Sequence, residues 1–279
     1  MLKTDEILGE PKKKSRKSKK QLEKELLNEY NYQNDNSMLN NSYHMMHHLS
    51  AREKKTFEER FTIPKKGIQK DYHNLLNQKT KKIVVATGPA GTGKTLFATE
   101  MGVKFFLQGI YEKLVFTRPS VSVDEDLGYL PGTLEEKMAP WVRPIYDILH
   151  TFISPKEVIT LIEDKIIEIA PLGYMRGRTF KNCWIVADEM QNSTIAQMKM
   201  LMTRLGENSK LIITGDLEQH DRNNELNGLD DFLNKFKGKR SPSITSLEFE
   251  HSDIQREEVV KEILEIYSGD VPINYDTEI

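Results

Sequence analysis

Cysteine is nearly absent: the chain has 279 residues and one cysteine, Cys183. One thiol excludes an intrachain disulfide framework and a multi-cysteine zinc site, and it suggests a reducing, cytoplasmic setting. Long apolar runs are lacking as well. No segment approaches the uninterrupted apolar length a membrane-spanning helix needs, and residues 1–10 lack the apolar centre of a secretory leader. No membrane partner is expected. Neither sign of charge is in excess, since 40 Lys and Arg stand against 42 Asp and Glu, so the chain as a whole is not a basic nucleic-acid binder. Hydrophobic residues make up only 38%, which is low for a packed domain, so part of the chain is expected to lie outside any core.

That part is the beginning. Residues 11–20 read PKKKSRKSKK with no acid, and 28–42 are rich in Asn, Tyr and Ser. Neither stretch holds an apolar period over several turns, so residues 1–55 are expected to form a flexible basic and polar tail. The basic run reads either as a polyanion contact through phosphate charge or as a solvated, solubilising segment. His44, His47 and His48 lie in the same tail without the carboxylate or thiolate that a metal site would need.

Residues 56–279 are expected to form one domain. Short β-branched runs at 82–86, 114–117, 166–169, 184–187, 210–214 and 244–249 lack strict alternation, as strands covered on both faces do. Helical stripes fit between them, with Leu96, Val103, Phe106 and Leu107 on one face and Ile195, Met198, Met202 and Leu205 on another. Thr133 with Glu136, and Ser252 with Gln255, read as capping boxes. This alternation of strands and helices predicts an α/β fold with a mostly parallel sheet flanked by helices.

Gly88, Pro89, Ala90, Gly91, Thr92, Gly93, Lys94 and Thr95 match G-x-x-x-x-G-K-T without a gap, after one strand and before a helix. Glycines let such a loop aim successive N–H groups inward, and the helix adds its free amides and positive end. Lys94 then reaches the β/γ-phosphates of a nucleoside triphosphate, and the Thr95 hydroxyl ligates Mg²⁺. Asp188 and Glu189 end an apolar strand, where ligands gather in a parallel sheet. Asp188 is expected to face Mg²⁺ and Glu189 to polarise the attacking water. The alternative is an acidic helix start. After the next strand come Thr214, Gly215 and Asp216, with Gln219 the candidate γ-phosphate sensor because an amide both donates and accepts. Arg256 opens the stripe of Val260, Ile263, Leu264 and Tyr267, and is read either as a phosphate contact or as one side of a structural ion pair.

Taken together these segments resemble the PhoH-like ATPases, a family related to superfamily-one helicases. The matching stretches are GPAGTGKT at 88–95, TRP at 117–119, LGYLPG at 127–132, residues 140–149 and IAPLGYMRGRT at 169–179. DEMQN at 188–192, TGDLEQ at 214–219 and DIQREEVV at 253–260 follow in the same order. The resemblance implies a single RecA-like core that hydrolyses ATP with Mg²⁺, and it implies that Gln69 reads adenine. Met190 stands where the helicase relatives carry Ala, a mild departure. Neither a nuclease segment before the core nor a second RecA-like domain after it is expected, so an arginine from a neighbouring subunit would have to complete the site. Arg118, Arg176 and Arg178 are the candidates for that contact or for a nucleic-acid strand, with solvated surface arginines as the alternative. The expected function is ATP hydrolysis coupled to RNA or single-stranded DNA in a homo-oligomer such as a hexameric ring. The alternatives are an ATP-dependent assembly switch without helicase activity and a small-molecule kinase.

Overall fold

Six short β-branched runs pair into one sheet. They are β1 (Ile83–Thr87), β2 (Lys113–Arg118), β3 (Ile167–Pro171), β4 (Cys183–Ala187), β5 (Lys210–Gly215) and β6 (Ile244–Glu248). The computed structural model describes residues 50–119, 134–219, 226–255, 259–260 and 263, with the side chains of 51, 53, 54 and 134–141 outside the description. The basic run at 11–20, the histidines of the tail and the Thr133 capping box therefore lie outside the described residues.

The strand order is β3-β2-β4-β5-β1-β6, and every pairing between these strands is parallel. β1, β4 and β5 are buried along their whole length, whereas the edge strands β3 and β6 are partly exposed. This explains the unalternating runs, because a central strand has no wet face. On one face Val85, Val115, Ile185 and Ile213 pack with Met190, Met198, Leu201 and Leu229. The last three come from α6 (Ile195–Met202) and α7 (Gly228–Phe236), numbered after α1 (Ala51–Glu58), α2 (Gly67–Asn77), α3 (Lys94–Leu107), α4 (Leu134–Phe152) and α5 (Pro155–Glu163). The architecture is thus a RecA-like α/β core with one parallel sheet flanked by helices.

Helix α3 departs from the expected single stripe. Leu96 is half-buried, while Phe97, Ala98, Thr99, Glu100, Met101, Gly102 and Val103 are all buried. Trp184 of the sheet covers Ala98 and Gly102, and the segment around the end of α1 adds further contacts to this helix and to α4. The Thr62 N–H and hydroxyl donate to the Glu100 carboxylate at 2.9 and 2.8 Å, Lys104 pairs with Glu58 at 2.5 Å, and Phe61 stacks on Phe152 at 4.4 Å. α1 also spans residue 55, where the tail was expected to end. Ser252 does not cap a helix with Gln255. It lies inside a 3₁₀ turn at His251–Asp253 that is capped two residues earlier, by Asp253 accepting from the Glu250 N–H, while the Gln255 N–H is spent on Gly91 O.

Two buried contacts decide how the helices sit. Trp184 of β4 is fully buried and donates its indole N–H to Ala98 O at 3.0 Å, and its ring lies where a Cβ on Gly102 would be, 2.5 Å from Cδ1. Lys210, at the start of β5, is 1% exposed and donates to Leu75 O, Leu76 O and Gln78 O at 2.9, 2.5 and 3.0 Å. A lysine at a strand end usually reaches water. Here its ammonium satisfies the last carbonyls of α2, the negative end of the helix dipole. Burial pushes the Lys210 ammonium down to about 7, and the charge of Lys82 adds to the shift.

Gly102→Ala sets a helix-propensity gain of about 1 kcal/mol against over-packing of about 1–3 kcal/mol. The expected outcome is net destabilisation, read as a lower urea midpoint. For Lys210 the folded pKa is the lower one, so between about 7 and the ordinary 10.5 the unfolded chain holds more protons and stability rises with pH. Urea titrations across that window should show this slope in the native chain. Lys210→Met should lose this slope and, above about pH 7, be less stable, because Leu76 O loses its side-chain donor while Leu75 O and Gln78 O keep only the Gln78 and Lys81 N–H groups.

Candidate functional site

The sheet order makes β4, β5 and β1 neighbours, so their carboxyl ends open side by side. These ends carry the Asp188–Glu189 pair, the Thr214–Gly215–Asp216 turn and the loop 88–95. Together with the start of α3 they line a cleft of about 370 Å³. The loop is held from three sides. Gly88 sits at φ +123°, and a Cβ there would lie 2.2 Å from Phe249 O, so only glycine fits. Its N–H donates to Gly215 O at 3.2 Å, and the Gln255 N–H donates to Gly91 O at 3.0 Å.

Lys94 folds back onto its own loop. Its Nζ donates to Gly88 O at 2.6 Å, Pro89 O at 2.7 Å and Thr92 Oγ1 at 3.2 Å. Burial lowers its pKa, while the charges of Asp216, Asp188 and Glu189 work the other way. An arriving anion would give the ammonium a charged acceptor in place of neutral carbonyls, which is the stronger bond.

Asp188 is the junction of the site. Its Oδ1 accepts from the Thr95 hydroxyl at 2.8 Å and from the Thr214 hydroxyl, and its N–H donates to Thr117 O at 2.9 Å. A carboxylate oxygen beside a hydroxyl is hard-oxygen chemistry that suits Mg²⁺, which typically takes one or two protein ligands and completes its shell from water and phosphate. Thr95 and Asp188 thus fit the ion, and among the described residues no cluster of three or more acids, histidines or cysteines offers a competing metal site.

Glu189 occupies the left-handed region at φ +53°, uncommon for a residue with a side chain and costing on the order of 1–3 kcal/mol. Gln191, fully buried, holds it there. Gln191 Nε2 donates to Glu189 Oε2 at 2.6 Å and to Gln219 O at 3.2 Å, and its Oε1 accepts from the Asp216 N–H at 3.0 Å. One side chain therefore ties the acid to the next strand's loop. Burial raises the Glu189 pKa and the Asp188 charge adds to this, while the Gln191 bond, Arg118 and Lys94 oppose it.

The other expected site residues fall in different places. Gln219 lines the cleft, and its N–H donates to Asp216 O at 3.1 Å. Arg118, at the end of β2, lies near enough for its charge to act on Glu189. Gln69 is 3% exposed and its carboxamide is engaged within the protein. Oε1 accepts from the Lys65 and Lys66 N–H groups at 2.9 and 3.2 Å, and Nε2 donates to Thr92 O at 3.1 Å. Arg178 is held by a two-pronged ion pair to Glu168 and lies 4.7 Å above the Phe180 ring. Arg176 is exposed, as is the neighbouring Tyr174. Arg256 lies outside the described residues.

Thr214 and Gln191 stand inside the stretches TGDLEQ and DEMQN that marked the site, but their bonds to Asp188 and Glu189 were not expected. Tyr72, whose hydroxyl donates to Lys94 O at 3.2 Å, lies in no such stretch, and its partner is 22 residues away.

The family described as PhoH-like protein matches residues 62–268. A PhoH-like protein of Bacillus subtilis is 43% identical over 200 residues, covering 71% of this chain and 61% of its own length. One of Synechocystis is 42% identical over 214 residues, covering 76% and 61%. Protein PhoH of Escherichia coli is 39% identical over 199 residues, covering 70% and 56%. The matched region therefore spans less than two-thirds of these relatives. With its phosphate loop, paired acids and parallel sheet, the chain belongs to the PhoH-like family.

Proposed function

We propose that this chain hydrolyses ATP with Mg²⁺ and couples the cycle to RNA or single-stranded DNA as a homo-oligomer. The observation that carries the reading is the pair of hydrogen bonds accepted by Asp188 Oδ1, which brings the phosphate-loop Thr95 and the Thr214 loop onto one carboxylate oxygen. A phosphate-binding loop joined to an acid with a second acid beside it is arranged for hydrolysis. The amides at the start of α3 take the phosphate charge, and Lys94 exchanges its loop carbonyls for phosphate oxygens. Thr95 and Asp188 would hold Mg²⁺, which would supply positive charge against the phosphate oxygens. Glu189, oriented by Gln191, positions the attacking water. As the water oxygen bonds to the γ-phosphorus, the bond to the β-bridging oxygen breaks, ADP leaves, and the proton passes to the carboxylate or to the released phosphate. A raised Glu189 pKa suits a proton acceptor.

Exposed Arg176 and Tyr174 support a nucleic-acid strand contact through phosphate charge and stacking. Arg178, already paired, supports the loop's shape instead. Arg118, whose charge acts on Glu189, is suited to transition-state charge. Arg256 and a neighbouring subunit's arginine belong to the same proposal. No described helix is long and apolar enough to cross a membrane, which is compatible with a cytoplasmic setting. The alternative is an ATP-dependent assembly switch with no strand work.

Glu189→Gln should retain nucleotide binding and lower turnover by about 10²–10⁴-fold, whereas Lys94→Ala should weaken binding itself by about tenfold or more. Phosphate release and binding of a fluorescent ATP analogue separate the two effects, and full turnover by Glu189→Gln would remove the acid from the mechanism. Stimulation of phosphate release by RNA or single-stranded DNA is expected. A rate unchanged by either would favour the assembly switch.

A further inference from the structure

A glutamine carboxamide that reads adenine must offer an acceptor lone pair to the N6 amine and an N–H to N7. A carboxamide oxygen has two lone pairs and its nitrogen two hydrogens. Both Gln69 oxygen lone pairs are taken by the backbone N–H groups of Lys65 and Lys66, and one nitrogen hydrogen goes to Thr92 O. To turn toward a base, Gln69 would have to leave both amides without their acceptor and release the phosphate loop. Thr92 is fully buried, and its hydroxyl donates to Pro89 O and accepts from Lys94. The Gln69 bond therefore bears on the loop that carries Lys94. The hydroxyl of Tyr72, one turn further along α2, is likewise spent on Lys94 O. On the loop side the cleft is lined by Ala90, Gly91, Gly93 and Leu96, which carry no polar side chain, and by Lys94 and Thr95, which the reading above assigns to phosphate and metal.

We propose that Gln69 is a positioning residue for the phosphate loop rather than a reader of the base. The site then takes nucleoside triphosphates with little preference between adenine and guanine. This rests on the triphosphate-binding reading above.

The test uses the full chain, with ATP and GTP as substrates and inorganic tripolyphosphate as a base-free competitive inhibitor. The wild type should show kcat/KM values for ATP and GTP within about threefold, since among the described residues Gln69 has no free acceptor for a base and a site without base hydrogen bonds discriminates weakly. Gln69→Ala should lower both by about tenfold and weaken tripolyphosphate inhibition by the same factor, about the worth of one lost hydrogen bond to a loop that must stay in place. A base reader would leave tripolyphosphate inhibition unchanged, and that result overturns the proposal. A wild-type preference for ATP above about tenfold overturns it as well, and this measurement needs no variant to fold. If the wild type neither turns over nor binds any triphosphate, the underlying reading fails too, whereas an ATP preference sinks this inference alone.

Discussion

One carboxylate oxygen organises this protein. Asp188 Oδ1 receives the Thr95 hydroxyl from the loop after β1 and the Thr214 hydroxyl from the end of β5. Such a junction requires three strands running the same way with their carboxyl ends level, and the β4-β5-β1 order supplies that. Parallel pairing in turn needs helical crossovers on both faces, which keeps the central strands dry. The buried strands, the enclosed α3 and the shared cleft all follow from bringing these three loops together.

Around that junction, polar groups are used in chains. Gln191 joins Glu189 to the β5 loop, Gln69 joins the start of α2 to Thr92, and Lys210 closes the other end of α2. Each is buried, so an unmade bond costs more than a made one contributes. Burial thereby turns weak individual bonds into constraints on position. Helix α2 is held at both ends, by Gln69 near its start and Lys210 at its finish, and it bears on the phosphate loop through Gln69 and Tyr72.

The arginines show why residue type alone does not assign a role. Arg176 and Arg178 are two positions apart in one loop. Arg178 turns back to Glu168 and Phe180, while Arg176 stays in water. The difference arises from Glu168 on the edge strand β3, which lies close enough to form a two-pronged pair with one guanidinium.

The sequence by itself determined the strands and the phosphate loop. Both are local: a run of β-branched residues buried on two faces needs no alternation, and loop 88–95 depends on glycines and lysine at fixed spacing. The same holds for the acids at 188 and 189, because the end of an apolar strand marks a carboxyl edge. Only the tertiary structure decided which side chains remain available to a ligand. The amide donors of Gln69 adjoin it in sequence, but Thr92 is 23 residues away, and Lys210 reaches carbonyls more than 130 residues back. A hydrogen-bonding group can be spent only on a partner that folding brings within about 3 Å. Periodicity and spacing locate the site's backbone, and packing then determines which of its polar atoms a ligand can still reach.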